Sequence, residues 1–174
     1  DGSLSQTDVL VVCNPNNPTG ERIDPAQLLE WHANLAVRGG WLIVDEAFID
    51  TMPEASVTPL ATRPRLIVLR SLGKFCGLAG ARVGFAFAST DLLRRLEDEL
   101  GPWTVCGPAQ FAACAALSDR VWQAQTRDTL AKAGQRLNSL LARAGVAAQG
   151  TALFQWWQDE RADELHRGLA GKAI

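Results

Sequence analysis

Val9 to Cys13 is a short, wholly apolar run rich in β-branched residues, the pattern of a strand buried on both faces. Trp41 to Val44 and Leu66 to Leu69 repeat that pattern, and Val83 to Ala88 makes a fourth run. All four are strand-length and far too short to span a bilayer. After the first comes Asn14-Pro15-Asn16-Asn17-Pro18-Thr19-Gly20, a dense turn that neither helix nor strand could absorb. Asp24-Pro25 then offers an N-cap with proline at the first helical position. The helix carries Leu28, Leu29, Trp31, His32 and Leu35 and stops at Gly39-Gly40. Strands alternating with helices or long crossovers predict an α/β class with a mostly parallel sheet covered on both sides.

Thr90-Asp91 is expected to cap a helix after the fourth strand, and from Gly107 onward the pattern turns helical. Ala109 to Leu117 is alanine-rich, and a long amphipathic helix is predicted from Arg120 to Arg143, broken by Gly145. Val146 to Trp157 offers one or two strands, and Asp163 to Leu169 a short helix. The expected organisation is a large-domain portion over 1–118, an interdomain helix over 119–144, and the start of a small α+β domain over 145–174. The chain opens on Asp1 and ends at Ile174 within an apparent helix-to-strand connection, so a fragment of a longer protein is expected.

Composition excludes several classes. With 47% hydrophobic and 21% charged residues and a formal net charge of -2, the chain has the balance of a globular protein. No Lys/Arg stripe favours nucleic acid or an anionic membrane as partner. Cysteines 13, 76, 106 and 114 form no C-x-x-C pair and stand beside only two histidines, giving no zinc spacing. Reduced thiols in the cytoplasm are the expectation.

Ligands of open α/β sheets sit beyond the carboxyl ends of the strands. The first strand end delivers Asn17, the second Asp45, and the third Ser71 and Lys74, while Arg82 lies just before the fourth strand. Alone, Asp45 reads as a cap or turn former and Lys74 as a solvated surface lysine; Arg70 reads as a surface charge. Together, an amide, a carboxylate, a hydroxyl, a lysine and an arginine suit a phosphorylated cofactor with a basic ring nitrogen and a reactive aldehyde. Lys74 forms the imine, because a lysine amine is nucleophilic once its pKa is lowered. Asp45 faces the ring nitrogen, Ser71 and Arg82 hold the phosphate, and Asn17 donates to the phenolic oxygen. Glycines 77, 80 and 84 are expected to let the backbone turn sharply around Lys74 and Arg82. Asn14 and Asn16 read as turn formers.

The stretches NPNNPTG (14–20), VDEAFID (44–50) and RSLGKFCGLAGARVGF (70–85) resemble the fold-type I pyridoxal phosphate (PLP) enzymes of the aminotransferase class I/II superfamily. VLRSLGKFCGLAG (68–80), LGPWTVCGPAQ (100–110) and TALFQWW (151–157) look like the histidinol-phosphate aminotransferase branch, and within it most like the threonine-phosphate decarboxylases of cobalamin biosynthesis. The resemblance implies the same roles for Lys74, Asp45, Asn17, Ser71 and Arg82, and places Ala47 against the ring face. Two positions depart from the pattern. Phe48 stands where relatives usually carry a tyrosine that donates to the 3-hydroxyl, and the chain holds no tyrosine; Gly73 stands where a hydroxyl is frequent. Relatives also carry a phosphate-capping loop, a ring-stacking aromatic and a carboxylate-gripping arginine, none identifiable here. The 174 residues alone are expected to bind cofactor weakly and turn over poorly.

The leading expectation is decarboxylation of L-threonine O-3-phosphate to (R)-1-amino-2-propanol O-2-phosphate. A histidinol-phosphate-type aminotransferase is the alternative, since the same residues could run transamination, and a non-catalytic domain of this fold is a third reading. The resemblance also implies a homodimer, with Trp31, Trp103, Trp122, Trp156 and Trp157 including candidates for its surface and core packing expected for most of them.

Overall fold

The computed structural model describes residues 8–173; residues 1–7 and Ile174, which the expected domain limits include, lie outside the described residues. Strands β1 (Val9–Cys13), β2 (Trp41–Asp45), β3 (Leu66–Ser71) and β4 (Gly84–Phe87) form one sheet in the order β1-β2-β3-β4. β1 pairs parallel with β2 and β2 with β3, whereas β4 returns antiparallel to β3. That reversal follows from the short connection 72–83, which holds one 3-10 turn (Ala79–Ala81) where a parallel crossover usually needs a helix.

Period-two alternation puts Leu42, Val44, Leu66 and Val68 on one face of the sheet, all buried. There they meet Leu28 and Leu35 of α1 (Pro25–Ala36), with Val57 and Ala61 from the connection between β2 and β3. Asp24 caps α1 by accepting from the Ala26 amide at 2.8 Å, and Pro25 occupies the first turn, as the sequence predicts. The β2–β3 connection contains no α-helix but three 3-10 turns, Ile49–Thr51, Pro53–Ala55 and Thr58–Leu60.

The opposite face departs from expectation. Val9 is 49% and Val11 63% exposed, so β1 is not buried on both faces. β1 is one of the two edges of the described sheet, and its outward residues alternate away from the α1 layer.

The remaining chain is mainly helical: α2 (Thr90–Leu100), α3 (Gly107–Ser118) and α4 (Arg120–Arg143) precede a small hairpin of β5 (Gln149–Gly150) and β6 (Gln155–Trp156), then α5 (Ala162–Ala170). The N-cap of α2 is Ser89 rather than Thr90, and its side chain makes no capping bond. Asp119 caps α4 by accepting from the Trp122 amide at 2.9 Å. The hairpin touches the Asn14–Gly20 turn through paired glycines. Gly20 has φ +71°, and a Cβ there would lie 2.3 Å from Gly150 Cα.

Gly20→Ala should therefore destabilise the fold by about 2 kcal/mol or more, through a left-handed backbone and a displaced hairpin. Urea denaturation checks this, and an unchanged midpoint would contradict it.

Candidate active site

Strand direction decides which side chains meet. Cys13 lies opposite Asp45, and Asp45 opposite Leu69, so the C-terminal ends of β1, β2 and β3 share one edge of the sheet. Antiparallel β4 begins at that same edge, with Gly84 opposite Ser71. Asn17 just beyond β1, Asp45 and Ser71 at the ends of β2 and β3, Lys74 shortly after, and Arg82 just before β4 are all delivered there.

Each is held by local bonds that leave part of its chemistry open. Oδ1 of Asp45 accepts from the Ala47 amide at 2.9 Å, which fixes the carboxylate and leaves Oδ2 for another donor. Oγ of Ser71 accepts from the Gly73 amide at 3.1 Å, so its proton can still be donated. Lys74 sits in a turn closed by Gly77 N–H to its carbonyl at 3.0 Å and by Leu78 N–H to the Leu72 carbonyl at 3.1 Å. Its ammonium lies 5.5 Å from the Phe48 ring centre, and among the described residues no carboxylate pairs with it. The Phe48 ring in turn packs edge-on against Phe154, 5.3 Å away, which brings the β5–β6 hairpin to the lysine.

Asn17 is exposed, on a loop whose base Asn14 clamps: Asn14 Nδ2 donates to the Ile23 carbonyl at 3.0 Å, and Oδ1 accepts from the Ile23 amide at 2.9 Å. Asn16 donates to Thr19 Oγ1 at 2.7 Å, so both asparagines do shape the turn. Arg82 adopts a left-handed backbone, φ 54°, unusual for a side chain of its size. Its Nη1 donates to the Ala79 carbonyl at 3.1 Å, so here the guanidinium is engaged by its own turn rather than by Ser71. Of the three glycines expected to shape this loop, Gly77 needs its freedom, with φ +67°, and a Cβ on Gly84 would press on the Arg70 carbonyl at 3.1 Å. Gly80 meets open space at a normal φ, and neither reason applies to it.

Beneath this edge lies a group of charges that the sequence reading did not assign. Glu46, fully buried, accepts from Ser56 Oγ at 2.5 Å, the Val57 amide at 2.6 Å and Thr58 Oγ1 at 3.0 Å. Arg70 pairs with Glu46 at 3.8 Å and bonds to Asp50 through Nη2. The expectation of a surface charge at Arg70 is thus corrected: its side chain is only 21% exposed, because two carboxylates draw it inward. Arg127 of α4 reaches the same place and donates from Nε to the Asp50 carbonyl at 2.7 Å. The signal for Glu46 was present in the sequence, since Leu42, Val44 and Glu46 fall on one face at period two.

Burial pushes the thiol of Cys13 up, with a further rise from the Asp45 carboxylate and an opposing effect of the Asn17 backbone amide. Burial also raises the Cys76 thiol, reinforced by Asp50 and opposed by Arg70 and Arg127.

An amine, a carboxylate, an amide, a hydroxyl and a guanidinium on one edge form a donor set that fits an anionic aldehyde carrying a basic ring nitrogen. Comparison with known proteins points the same way. The aminotransferase class I and II family model matches residues 2–170. The chain is 55% identical to a threonine-phosphate decarboxylase of Pseudomonas aeruginosa over 98% of its own length and 52% of that protein's. It is 42% identical to a histidinol-phosphate aminotransferase of Yersinia pestis over 68% of its length and 31% of that protein's. Among solved structures it is similar to the histidinol-phosphate aminotransferase of Sinorhizobium meliloti in complex with pyridoxal-5'-phosphate. There the TM-score is 0.75 at 25% identity, covering 84% of this chain and 40% of that one. The chain spans about half the length of the curated decarboxylases it matches.

The raised thiols yield a prediction. Cys13 and Cys76 should react with a disulfide reagent more slowly than the exposed Cys106 and Cys114, and should speed up as pH rises through their raised values. Since both folded-state values lie above the unfolded one, their contribution to stability is complete below the ordinary thiol range and is lost as pH climbs through the raised values. Equal labelling rates for all four cysteines would contradict the assignment.

Proposed function

Because the chain belongs to the aminotransferase class I and II family, we propose that it forms the catalytic core of a PLP-dependent decarboxylase that converts L-threonine O-3-phosphate to (R)-1-amino-2-propanol O-2-phosphate. One observation carries the choice of reaction: 55% identity to the Pseudomonas decarboxylase along 98% of the chain.

Bound PLP supplies an aldehyde for capture by an amine and a ring that accepts the electron pair left when a carboxylate departs. Lys74 would hold the cofactor covalently, and its amine, when not so engaged, would carry a proton to the substrate α-carbon. Among the described residues no carboxylate pairs with Lys74, so no ion pair has to be broken before its nitrogen engages the cofactor. Asp45, with one oxygen fixed by the Ala47 amide, would keep the ring nitrogen protonated. Ser71 and Arg82 would hold the phosphate, the serine through its free proton and the arginine by turning away from the Ala79 carbonyl. Asn17 would donate to the 3-hydroxyl, the place Phe48 cannot serve for lack of a hydroxyl.

The domain limits follow the same reading, with 1–118 as the cofactor-binding portion, 119–144 as the interdomain helix α4 and 145–174 as the start of a small domain. A homodimer is proposed, supported by large exposed apolar side chains at Trp103 (93%) and Phe111 (79%). A cytoplasmic location is supported by four free cysteines; among the described residues, no helix is long and apolar enough to cross a membrane.

Identity to the Yersinia enzyme favours a second reading as an aminotransferase, because substrate orientation decides which bond at the α-carbon breaks. The full-length protein with PLP and threonine phosphate should release carbon dioxide. Transfer of the amino group to 2-oxoglutarate without carbon dioxide would overturn decarboxylation in favour of the second reading.

A further inference from the structure

Glu46, Arg70 and Phe75 share a property of position: each is the immediate chain neighbour of a candidate site residue, Asp45, Ser71 and Lys74 respectively. They are also joined to one another through space. Glu46 meets Arg70, and Arg70 bonds to Asp50. The carbonyl of Asp50 accepts from Arg127 Nε at 2.7 Å, and the Arg127 guanidinium stacks over the Phe75 ring, 5.4 Å from its centre. Trp122, five residues before Arg127 on α4, closes on the same ring edge-on at 5.6 Å. Two carboxylates and two guanidinium groups balance in charge, and Phe75 is buried, at 6% exposure.

We propose that Arg127 is a positioning residue for Lys74: its Nε–H fixes the Asp50 carbonyl, its face clamps Phe75, and the turn carrying Lys74 is thereby held at one height above the sheet edge. A lysine would keep the charge but lose the planar face on Phe75 and the Nε–H fixed in that plane. α4 contributes no candidate site residue of its own, so Arg127 acts on the site only through the turn it grips. The inference rests on Lys74 being the cofactor lysine.

A double-mutant cycle on the full-length protein tests it, with PLP affinity as the readout. Arg127→Gln should weaken PLP binding by about threefold or more when Lys74 is present, and should leave the affinity of a Lys74→Ala protein unchanged, because nothing remains there to position. Arg127→Lys should weaken binding in the same lysine-dependent way, and it carries the test if the glutamine variant does not fold. Lys132→Gln, at an exposed position of the same helix, should bind as the wild type does. Equal weakening with and without Lys74 would show a purely structural role and overturn the proposal, as would no weakening at all. A wild-type protein that does not capture PLP at Lys74 would overturn both this inference and the function on which it rests.

Discussion

The buried carboxylate of Glu46 is the interaction on which the site depends. It stands at the end of β2, on the face that Leu42 and Val44 bury, and its two oxygens take bonds from Ser56, Val57 and Thr58 and a charge contact from Arg70. Removing a partner from a buried ionic group typically costs about 3–5 kcal/mol, so the donors and the acid hold one another in place. Those donors come from the middle of the β2–β3 connection, which therefore lies against the sheet although it forms no α-helix. The next residue back, Asp45, points the other way by the alternation of the strand. One acid secures the scaffold and its neighbour is free for chemistry.

Parallel pairing turns this local arrangement into a site. The amide of Asn14 donates to the Asp45 carbonyl at 2.9 Å, and that of Glu46 to the Leu69 carbonyl at 2.8 Å, so the ladder runs up to the last residues before the polar loops. The loops begin from a rigid edge, and Asn17, Asp45, Ser71 and Lys74 inherit its spacing. Lys74 differs from the charges below it. Arg70, Asp50 and Glu46 are paired with one another, whereas the Lys74 ammonium rests above the face of Phe48 with no carboxylate partner among the described residues.

Much of this was legible in the sequence, for physical reasons that can be named. The strands were readable because short β-branched runs bounded by Gly, Pro and Asn have few alternatives, and the start of α1 because Asp24-Pro25 is a capping signal. That Asn17, Asp45, Ser71 and Lys74 leave one edge follows from the direction of parallel strands, whereas Arg82 reaches that edge only because β4 reverses, which the expected parallel sheet does not provide. Contacts between distant segments were less accessible. Arg70 was misjudged because its partners, Glu46 and Asp50, are brought to it by a connection without a periodic pattern. Arg127 lies on a helix whose surface is mostly polar, and nothing in its local sequence separates it from the other arginines there. The exposed face of β1 was misread because an apolar run reports what a strand can bury, and the cover itself must come from elsewhere.

Lys74, out of three lysines in the chain, is the residue proposed to capture the cofactor. Borohydride reduction of the full-length protein with PLP, followed by peptide mass mapping, reads this directly. The account expects the phosphopyridoxyl group on the peptide that contains Lys74, and its loss in Lys74→Ala. A label on Lys132 or Lys172, or no label on the wild-type chain, would contradict it.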